Sequence, residues 1–277
     1  MFETIELAPR DPILGLTVAF NEDQRPNKVN LSVGVYQDEH GKTPTLGSVR
    51  EAERRLAAGP SNKSYLPISG SPGYGEAVQK MVFGEKSPLL AAGRLAGAHT
   101  PGGTGGLRVV GDLIHQNFPK ATVWLSTPTW PNHAGIFAAA EVPTKTYPYF
   151  DQVGNRLDLD AMLAAIRKMP AGDVLLLHGC CHNPTGIDPT AAQWKQIVSA
   201  VAERGVLPFM DFAYQGFGDG LETDAVGVRE FCQAGTELIV CSSFSKNFGL
   251  YRERVGAVTV VCDNASVAKS VQSQINR

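Results

Sequence analysis

Reactive chemistry in this sequence is most evident around Lys246, which follows the apolar run Leu238–Val240 and stands close to Ser243, Ser245 and Arg254. A lysine amine is nucleophilic only when it is neutral, and partial burial or neighbouring cations favour that form by lowering its pKa. Such an amine can form a Schiff base with a carbonyl compound. Hydroxyl and guanidinium groups match the oxygens of a phosphate. The segment therefore predicts a site for one ligand that carries both a carbonyl and a phosphate, as pyridoxal 5'-phosphate does.

Lys246 also has an ordinary interpretation. A lysine in a turn rich in serine and glycine is usually solvated, because lysine is rarely buried. The segment alone does not separate these two interpretations. Groups from elsewhere in the chain have to decide between them.

Composition restricts the classes of protein to consider. With 277 residues, 43% of them hydrophobic and 19% charged, the chain can form one large α/β domain or two smaller domains. A formal charge of −2 gives no basis for nucleic acid or an anionic membrane as a partner. An odd number of cysteines without CxxC spacing, an N-terminus without an apolar signal core and the lack of a long apolar run lead us to expect a cytoplasmic protein.

The order of apolar segments indicates the fold class. Strand-like runs alternate with helical periodicity, which predicts an α/β fold with a mainly parallel sheet covered by helices on both faces. Val174–His178 has the continuous apolar character of a strand buried on both faces. Arg94–His99 reads as a strand, Thr100–Gly106 as a glycine turn and the residues from Leu107 as a helix. That arrangement presents backbone N–H groups to an anion.

Polar residues follow several of these strands at their carboxyl ends, where ligands bind in parallel sheets. The segments concerned are Gly102–Thr104, Trp130, Asn183, Asp211 with Tyr214, and Ser243–Lys246. Their convergence at one edge is harder to dismiss than any single member. It favours the reactive interpretation of Lys246.

Each of these residues has a role that pyridoxal phosphate would require. A buried Asp211 would keep the pyridine nitrogen protonated, and Tyr214 and Asn183 would donate to the phenolic oxygen of the ring. Trp130 would stack on the ring. Phosphate oxygens would be held by Thr104 and the glycine N–H groups together with Ser243, Ser245 and Arg254.

Ordinary structural roles remain open for the same residues. Asp211 can be a capping or turn residue, Tyr214 a core tyrosine, Asn183 part of an Asn-Pro turn and Trp130 a packing aromatic. The Gly-Gly-Thr-Gly-Gly turn is weak on its own and lacks the lysine of a P-loop.

Four longer stretches resemble the class I aminotransferases, specifically the aspartate and aromatic amino acid aminotransferases. They are Ser243-Phe-Ser-Lys-Asn-Phe-Gly-Leu-Tyr-Arg-Glu-Arg-Val-Gly256, His178-Gly-Cys-Cys-His-Asn-Pro-Thr-Gly186, Asp211-Phe-Ala-Tyr-Gln-Gly-Phe217 and Pro128-Thr-Trp-Pro-Asn-His133. The resemblance implies the fold type I architecture of pyridoxal phosphate-dependent transferases and a homodimer with active sites at the subunit interface. Residues 1–45 would form an arm and part of a small domain, and residues 46–277 the large cofactor-binding domain.

The resemblance also assigns roles to individual residues. Lys246 resembles the lysine that holds the cofactor and moves protons, with Asp211 and Tyr214 as its catalytic companions. The other cofactor contacts implied in this way are Gly103, Thr104, Trp130, Asn183, Ser243, Ser245, Arg254 and, in the neighbouring subunit, Tyr65. Gly34, Trp130 and Asn183 would line the substrate side, and His133 would support Asp211.

The implied reaction is a ping-pong transfer of an amino group from L-aspartate to 2-oxoglutarate, with an aromatic amino acid as the alternative donor. Family members continue beyond the position of Arg277 with a segment that supplies arginines for the substrate carboxylates, so we expect these 277 residues to bind cofactor while transamination is strongly impaired. A non-catalytic cofactor-binding or dimerising remnant is a second hypothesis. A metal site made of Cys180, Cys181, His178 and His182 is a third, although adjacent cysteines suit a tetrahedral ion poorly.

Overall fold

The computed structural model describes residues 2–7, 12–30, 34–59 and 62–277. Contacts divide the chain into two compact units, Met1–Thr45 and Leu46–Arg277. The first unit contains a short 3-10 helix, Phe2–Thr4, and helix α1, Pro12–Glu22. The alternating apolar residues of Val29–Tyr36 are typical of an edge strand, but the described residues of this range form no strand, and residues 31–33 lie outside the described part. The assignment of residues 1–45 to an arm and a small domain stays a prediction.

The second unit is built from alternating helices and strands. Its helices are α2 (Gly47–Ala58), α3 (Pro72–Phe83), α4 (Gly102–Asn117), α5 (Asn132–Ala139), α6 (Leu159–Ile166), α7 (Ala191–Arg204), α8 (Val226–Gln233) and α9 (Ala265–Ile275), with a 3-10 turn at Pro88–Leu90. Its strands are β1 (Leu95–Pro101), β2 (Val123–Thr127), β3 (Thr144–Pro148), β4 (Phe150–Asp151), β5 (Arg156–Leu157), β6 (Val174–His178), β7 (Leu207–Phe212), β8 (Leu238–Ser243) and β9 (Val255–Val261).

Within the described residues the main sheet has the strand order β1-β9-β8-β7-β6-β2-β3. Strands β8, β7, β6, β2 and β3 pair in parallel, whereas β9 is antiparallel to both of its neighbours, β1 and β8. Parallel neighbours need crossover connections, which the intervening helices supply. The prediction of a mainly parallel sheet is confirmed.

The two faces of this sheet carry separate apolar cores. Along β6, Leu175 and Leu177 pack on the face covered by α3, α6, α7 and α8. Val174 and Leu176 pack on the opposite face, beneath α4, α5 and α9. This alternation follows from the period of two in a strand, and it explains why β6 is apolar at each of its first four positions, Val174 to Leu177.

Two boundaries differ from the sequence prediction. The glycine segment is not a loop before a helix, because α4 already begins at Gly102. The sequence predicts an apolar helix over Leu159–Met169 with Asp158 as its cap. Helix α6 does begin after Asp158, whose side chain accepts from the N–H of Ala161, but it ends at Ile166. The chain closes there through hydrogen bonds from residues 168 and 169 to the carbonyls three residues before them, which tighten the last turn.

The hairpin of β4 and β5 was not predicted from sequence, since each strand has only two residues. Among the described helices, none has both the length and the apolar character needed to cross a bilayer.

Candidate active site

The carboxyl ends of β6, β7 and β8 bring the chemistry-bearing residues together. His178 lies opposite Asp211 across β6 and β7, and Asp211 lies opposite Cys241 across β7 and β8. Lys246 follows the end of β8 and Tyr214 follows the end of β7, so that the Lys246 amine is 5.0 Å from the centroid of the Tyr214 ring. Asp211, Tyr214 and Lys246 therefore lie at the same edge of the sheet.

Lys246 is half-buried rather than solvated. Burial lowers the pKa of its amine, the Arg254 guanidinium lowers it further, and the Asp211 carboxylate acts in the opposite direction. A lowered pKa increases the fraction of neutral, nucleophilic amine. These are the physical conditions required of a lysine that attacks a carbonyl.

Tyr214 is also half-buried. Burial raises the pKa of its phenol, as do the nearby Asp211 and Cys181, while a hydrogen bond with the Asn183 side chain lowers it. A raised pKa keeps the phenol protonated near neutrality, so Tyr214 is available as a hydrogen-bond donor. Asn183 and Tyr214 together face the space beside Lys246 with polar groups.

Asp211 lies behind this pair and contacts His133. Its Oδ2 is 3.0 Å from Nε2 of His133, whose side chain is fully buried. Burial raises the pKa of the Asp211 carboxyl, but His133, His178 and Lys246 outweigh that effect and the net pKa is lowered. The site therefore holds an ionised carboxylate at its back wall, which suits binding of a protonated ring nitrogen.

A chain of hydrogen bonds fixes the proton positions behind Asp211. Burial lowers the pKa of His178 to about 4, so its ring is neutral at pH 7. Its Nδ1 accepts from the backbone N–H of Asn183 at 3.2 Å, which places the ring proton on Nε2. The Nε2–H of His178 donates to Thr129 Oγ1 at 3.3 Å, and the Thr129 hydroxyl donates to Nδ1 of His133 at 2.8 Å. His133 must then donate from Nε2 to Asp211.

Thr129 links the two imidazoles, so its replacement has a definite expected cost. Thr129→Val keeps the shape but leaves Nδ1 of His133 and the Nε2–H of His178 without partners. We expect the free energy of unfolding to fall by about 1–3 kcal/mol, the cost of unpaired buried polar groups. Urea denaturation measures this value. Thr129→Ser keeps the hydroxyl and should lose clearly less; equal losses in both variants would contradict the proton order.

A group of hydrogen-bond donors, formed by the side chains of Ser243, Ser245 and Arg254 and here called the cradle, lies beside Lys246. The hydroxyls of Ser243 and Ser245 are 3.3 Å apart, and Nη1 of Arg254 donates to Ser245 Oγ at 3.2 Å. Both serines are buried, whereas Arg254 is exposed and has a left-handed backbone with φ 54. This unusual backbone conformation places Arg254 at the entrance to β9, facing the start of α4.

Backbone of α4 forms the other wall of the cradle. A Cβ on Gly102, whose φ is +73, would lie 2.7 Å from Nη2 of Arg254, and a Cβ on Gly256 would lie 2.5 Å from the carbonyl carbon of Gly102. The left-handed φ of Gly102 favours glycine there, and the backbone of Gly102 leaves no room for a side chain at position 256. The N–H groups and positive end of a 16-residue helix thus meet the Arg254 charge and the two serine hydroxyls. This donor set fits a phosphate dianion.

The remaining predicted residues are placed as follows. Gly103 is buried against Ser243, since a Cβ added to Gly103 would lie 3.1 Å from the Cβ of Ser243. Thr104 is exposed in the first turn of α4. Trp130 contacts the His133 ring edge-on at 5.3 Å between centroids. Tyr65 is fully exposed and is not part of this cluster. Gly34 belongs to the unit Met1–Thr45, and its role stays a prediction.

The four residues of the metal hypothesis do not form a metal centre. In the described residues, no group of three or more His, Cys, Asp or Glu side chains is arranged to hold an ion. Both ring nitrogens of His178 have hydrogen-bond partners, and those of His182 contact Ser126 Oγ at 3.0 Å and Thr185 Oγ1 at 2.8 Å. The imidazoles are committed to hydrogen bonding instead.

Sequence reasoning missed Thr129 and gave His178 only a metal-binding role. One signal for His178 was available, because it ends the apolar strand β6 and Asp211 is the second-last residue of the neighbouring strand β7. Parallel neighbours place such terminal residues side by side. Thr129 carried no comparable signal, since its role depends on the turn between β2 and α5.

Comparison with known proteins gives a consistent result. Residues 26–276 match the family model described as aminotransferase class I and II. An aspartate aminotransferase of Escherichia coli (strain K12) is 50% identical over 275 residues, which are 99% of this chain and 69% of the relative. An aromatic-amino-acid aminotransferase of Pseudomonas aeruginosa is 48% identical over 99% of this chain and 68% of its own length. An aromatic-amino-acid aminotransferase of Burkholderia pseudomallei, solved covalently bound to pyridoxal phosphate, superimposes with a TM-score of 0.96 at 49% identity, covering 100% of this chain and 69% of that one.

Proposed function

Since this chain belongs to the class I and II aminotransferases, we propose that it binds pyridoxal 5'-phosphate on Lys246 and uses it to transfer amino groups. The observation that carries the proposal is the half-buried Lys246 amine between an anionic wall at Asp211 and a cationic cradle at Arg254. A ligand with a phosphate at one end, a carbonyl near the lysine and a basic ring nitrogen matches this spatial arrangement of the Arg254, Lys246 and Asp211 groups.

Particular residues would hold each part of that cofactor. The phosphate would lie among Ser243, Ser245, Arg254, Gly103 and Thr104. Asp211 would pair with the ring nitrogen, Trp130 would pack on the ring, and Tyr214 and Asn183 would donate to the phenolic oxygen. When bound, pyridoxal phosphate supplies an electron sink for the carbanion formed at the amino acid α-carbon.

The chain's own residues manage the protons. With its lowered pKa, the Lys246 amine would take the proton from the substrate α-carbon as a general base and, as a general acid, deliver it two bonds away, on the far side of the substrate nitrogen. Tyr214, held protonated by burial, donates a hydrogen bond toward the same space. His133, given its tautomer by Thr129, keeps Asp211 ionised and correctly oriented.

We propose L-aspartate as the amino donor and 2-oxoglutarate as the acceptor. The support is the E. coli relative, which is named aspartate aminotransferase and is 50% identical. An aromatic amino acid is the second candidate donor, supported by the relatives named for aromatic substrates at 48% identity. Half-reaction rates for aspartate and phenylalanine, compared at equal concentration, separate the two.

We further propose a homodimer in the cytoplasm. Tyr65 and Ile68 are strongly exposed on one loop, at 105% and 79%, which supports a partner subunit that receives Tyr65 near its phosphate cradle. All five cysteines are free, which supports a reducing compartment. Sedimentation of the cofactor-loaded protein tests the dimer.

Borohydride trapping tests the central proposal. After incubation with pyridoxal phosphate and reduction, we expect a stable adduct on Lys246, located by peptide mass. Addition of aspartate before reduction should remove the visible absorbance of the bound cofactor and prevent trapping. An adduct on another lysine, or none, would refute the assignment.

A further inference from the structure

A side chain next to Lys246 connects the two loops that form the candidate active site. Nδ2 of Asn247 donates to the backbone carbonyl of Gln215 at 3.1 Å, across 32 positions of sequence. Asn247 directly follows Lys246, and Gln215 directly follows Tyr214. We propose that Asn247 is a positioning residue, which sets the distance between the Lys246 amine and the Tyr214 phenol by tethering their loops. The inference rests on the proposed function and deepens it.

The acceptor of this tether is itself held firmly. Gln215 is 2% exposed, and its Nε2 donates to the carbonyl of Met81 on α3 at 3.0 Å and to that of Leu221 at 2.9 Å. The loop that carries Tyr214 is therefore fixed to the body of the domain. A bond from Asn247 to this loop transmits that fixed position to the Lys246 loop.

The other side of Lys246 is fixed independently. Ser245 accepts from Arg254 at 3.2 Å, and the N–H of Gly249 donates to the Lys246 carbonyl at 2.9 Å. Neither of these bonds relates Lys246 to the Tyr214 loop. Among the hydrogen bonds found between the described segments 243–249 and 211–217, the one from Asn247 is a side-chain bond that does so directly.

Unpaired oxygens indicate that stability does not explain the asparagine. Oδ1 of Asn247 and Oε1 of Gln215 are buried without a hydrogen-bond partner in the described part of the chain. A buried acceptor without a donor is unfavourable, and an apolar side chain of similar size would avoid that cost. Asn247 therefore supplies its N–H donor to the Tyr214 loop while its own oxygen has no protein partner among the described residues, as expected of a group needed for geometry.

Asn247→Leu removes both the donor and the unpaired oxygen. We expect the variant to melt within a few degrees of the parent, because the lost bond and the removed unpaired acceptor offset each other. Its Lys246 amine should become more hydrated. In cofactor-free protein, the pH midpoint of Lys246 acetylation, followed by peptide mass, should rise by about one unit, the equivalent of one hydrogen bond. Single-turnover reaction with aspartate should slow about tenfold at pH 7.

Asn117→Leu is the matched control, because Asn117 also donates through Nδ2 to a backbone carbonyl, that of Leu113 at 2.9 Å, on the exposed surface of α4. It should leave the midpoint unchanged. If Asn247→Leu does not fold, the Lys246 acetylation midpoint of Asn247→Ala is compared with that of the parent instead. An unchanged midpoint in a folded Asn247 variant overturns the positioning role. Absence of any Lys246 adduct in the parent protein would instead overturn the proposed function.

Discussion

Lys246→Ala should reduce the single-turnover transfer of the aspartate amino group by about 10²- to 10⁴-fold, the range of a positioned general acid or base. Because the lysine is also the covalent anchor, borohydride should trap no cofactor on the protein. The cradle of Ser243, Ser245 and Arg254 remains, so weak, reversible binding of pyridoxal phosphate should persist. Stopped-flow absorbance after mixing with aspartate measures the rate.

Two further variants make this result interpretable. Lys246→Arg keeps a cation but has no neutral amine near pH 7, and it should be as slow as Lys246→Ala. Lys145→Ala removes an exposed lysine on β3, and we expect its single-turnover rate with aspartate to equal that of the parent protein. Rapid transfer in Lys246→Ala would show that another group moves the proton.

Acid should destabilise the protein through its buried histidines. Burial lowers the pKa of His178 to about 4, and burial together with His178 lowers that of His182 to about 3. In the unfolded chain both rings take up protons below about pH 6.5. The unfolded state therefore binds more protons between pH 6.5 and 4, and stability falls as pH decreases through this window. The slope should approach about 2.7 kcal/mol per pH unit, two protons' worth.

Urea denaturation of cofactor-free protein between pH 7 and pH 4.5 measures that slope. His182→Gln should remove about half of it, since one proton of the difference disappears. His115→Gln changes an exposed histidine and should leave it intact. Asp211 affects stability at lower pH than the histidines do. Because its pKa in the folded state is below the unfolded value, its contribution to the free energy of unfolding is lost only below about pH 4. A flat profile above pH 5 would contradict the neutral state of both rings.

Much of the fold could be predicted because periodicity reports burial. The apolar run that predicts a strand at Val174–His178 gives its observed bounds, and the 3.6-residue periodicity of Ala191–Arg204, which predicts a helix, gives those of α7. The start of α4 was misjudged, because glycine usually indicates a turn. Here α4 begins at Gly102, where its backbone lies close to Arg254 and Ser243, a tertiary requirement that no local pattern contains.

The candidate site likewise contains residues that the sequence predicts and residues that it does not. Lys246, Asp211 and Tyr214 could be grouped because they follow strands that the sequence identifies. Thr129 and Asn247 could not, because each acts through a partner that the fold alone brings near: His178 for Thr129, and Gln215 for Asn247. The family resemblance supplied His133, although not the proton order that connects it to His178.

The pairing of β6 with β7 has a consequence for refolding. His178 faces Asp211 in the parallel register, and a shift of β7 by one residue would put Phe212 or Met210 in the place of Asp211. A sheet misaligned in this way would keep its helices and much of its circular dichroism while losing the carboxylate behind the lysine. The yield of cofactor-binding competence after refolding, divided by the recovery of secondary structure, would therefore report the fidelity of strand alignment.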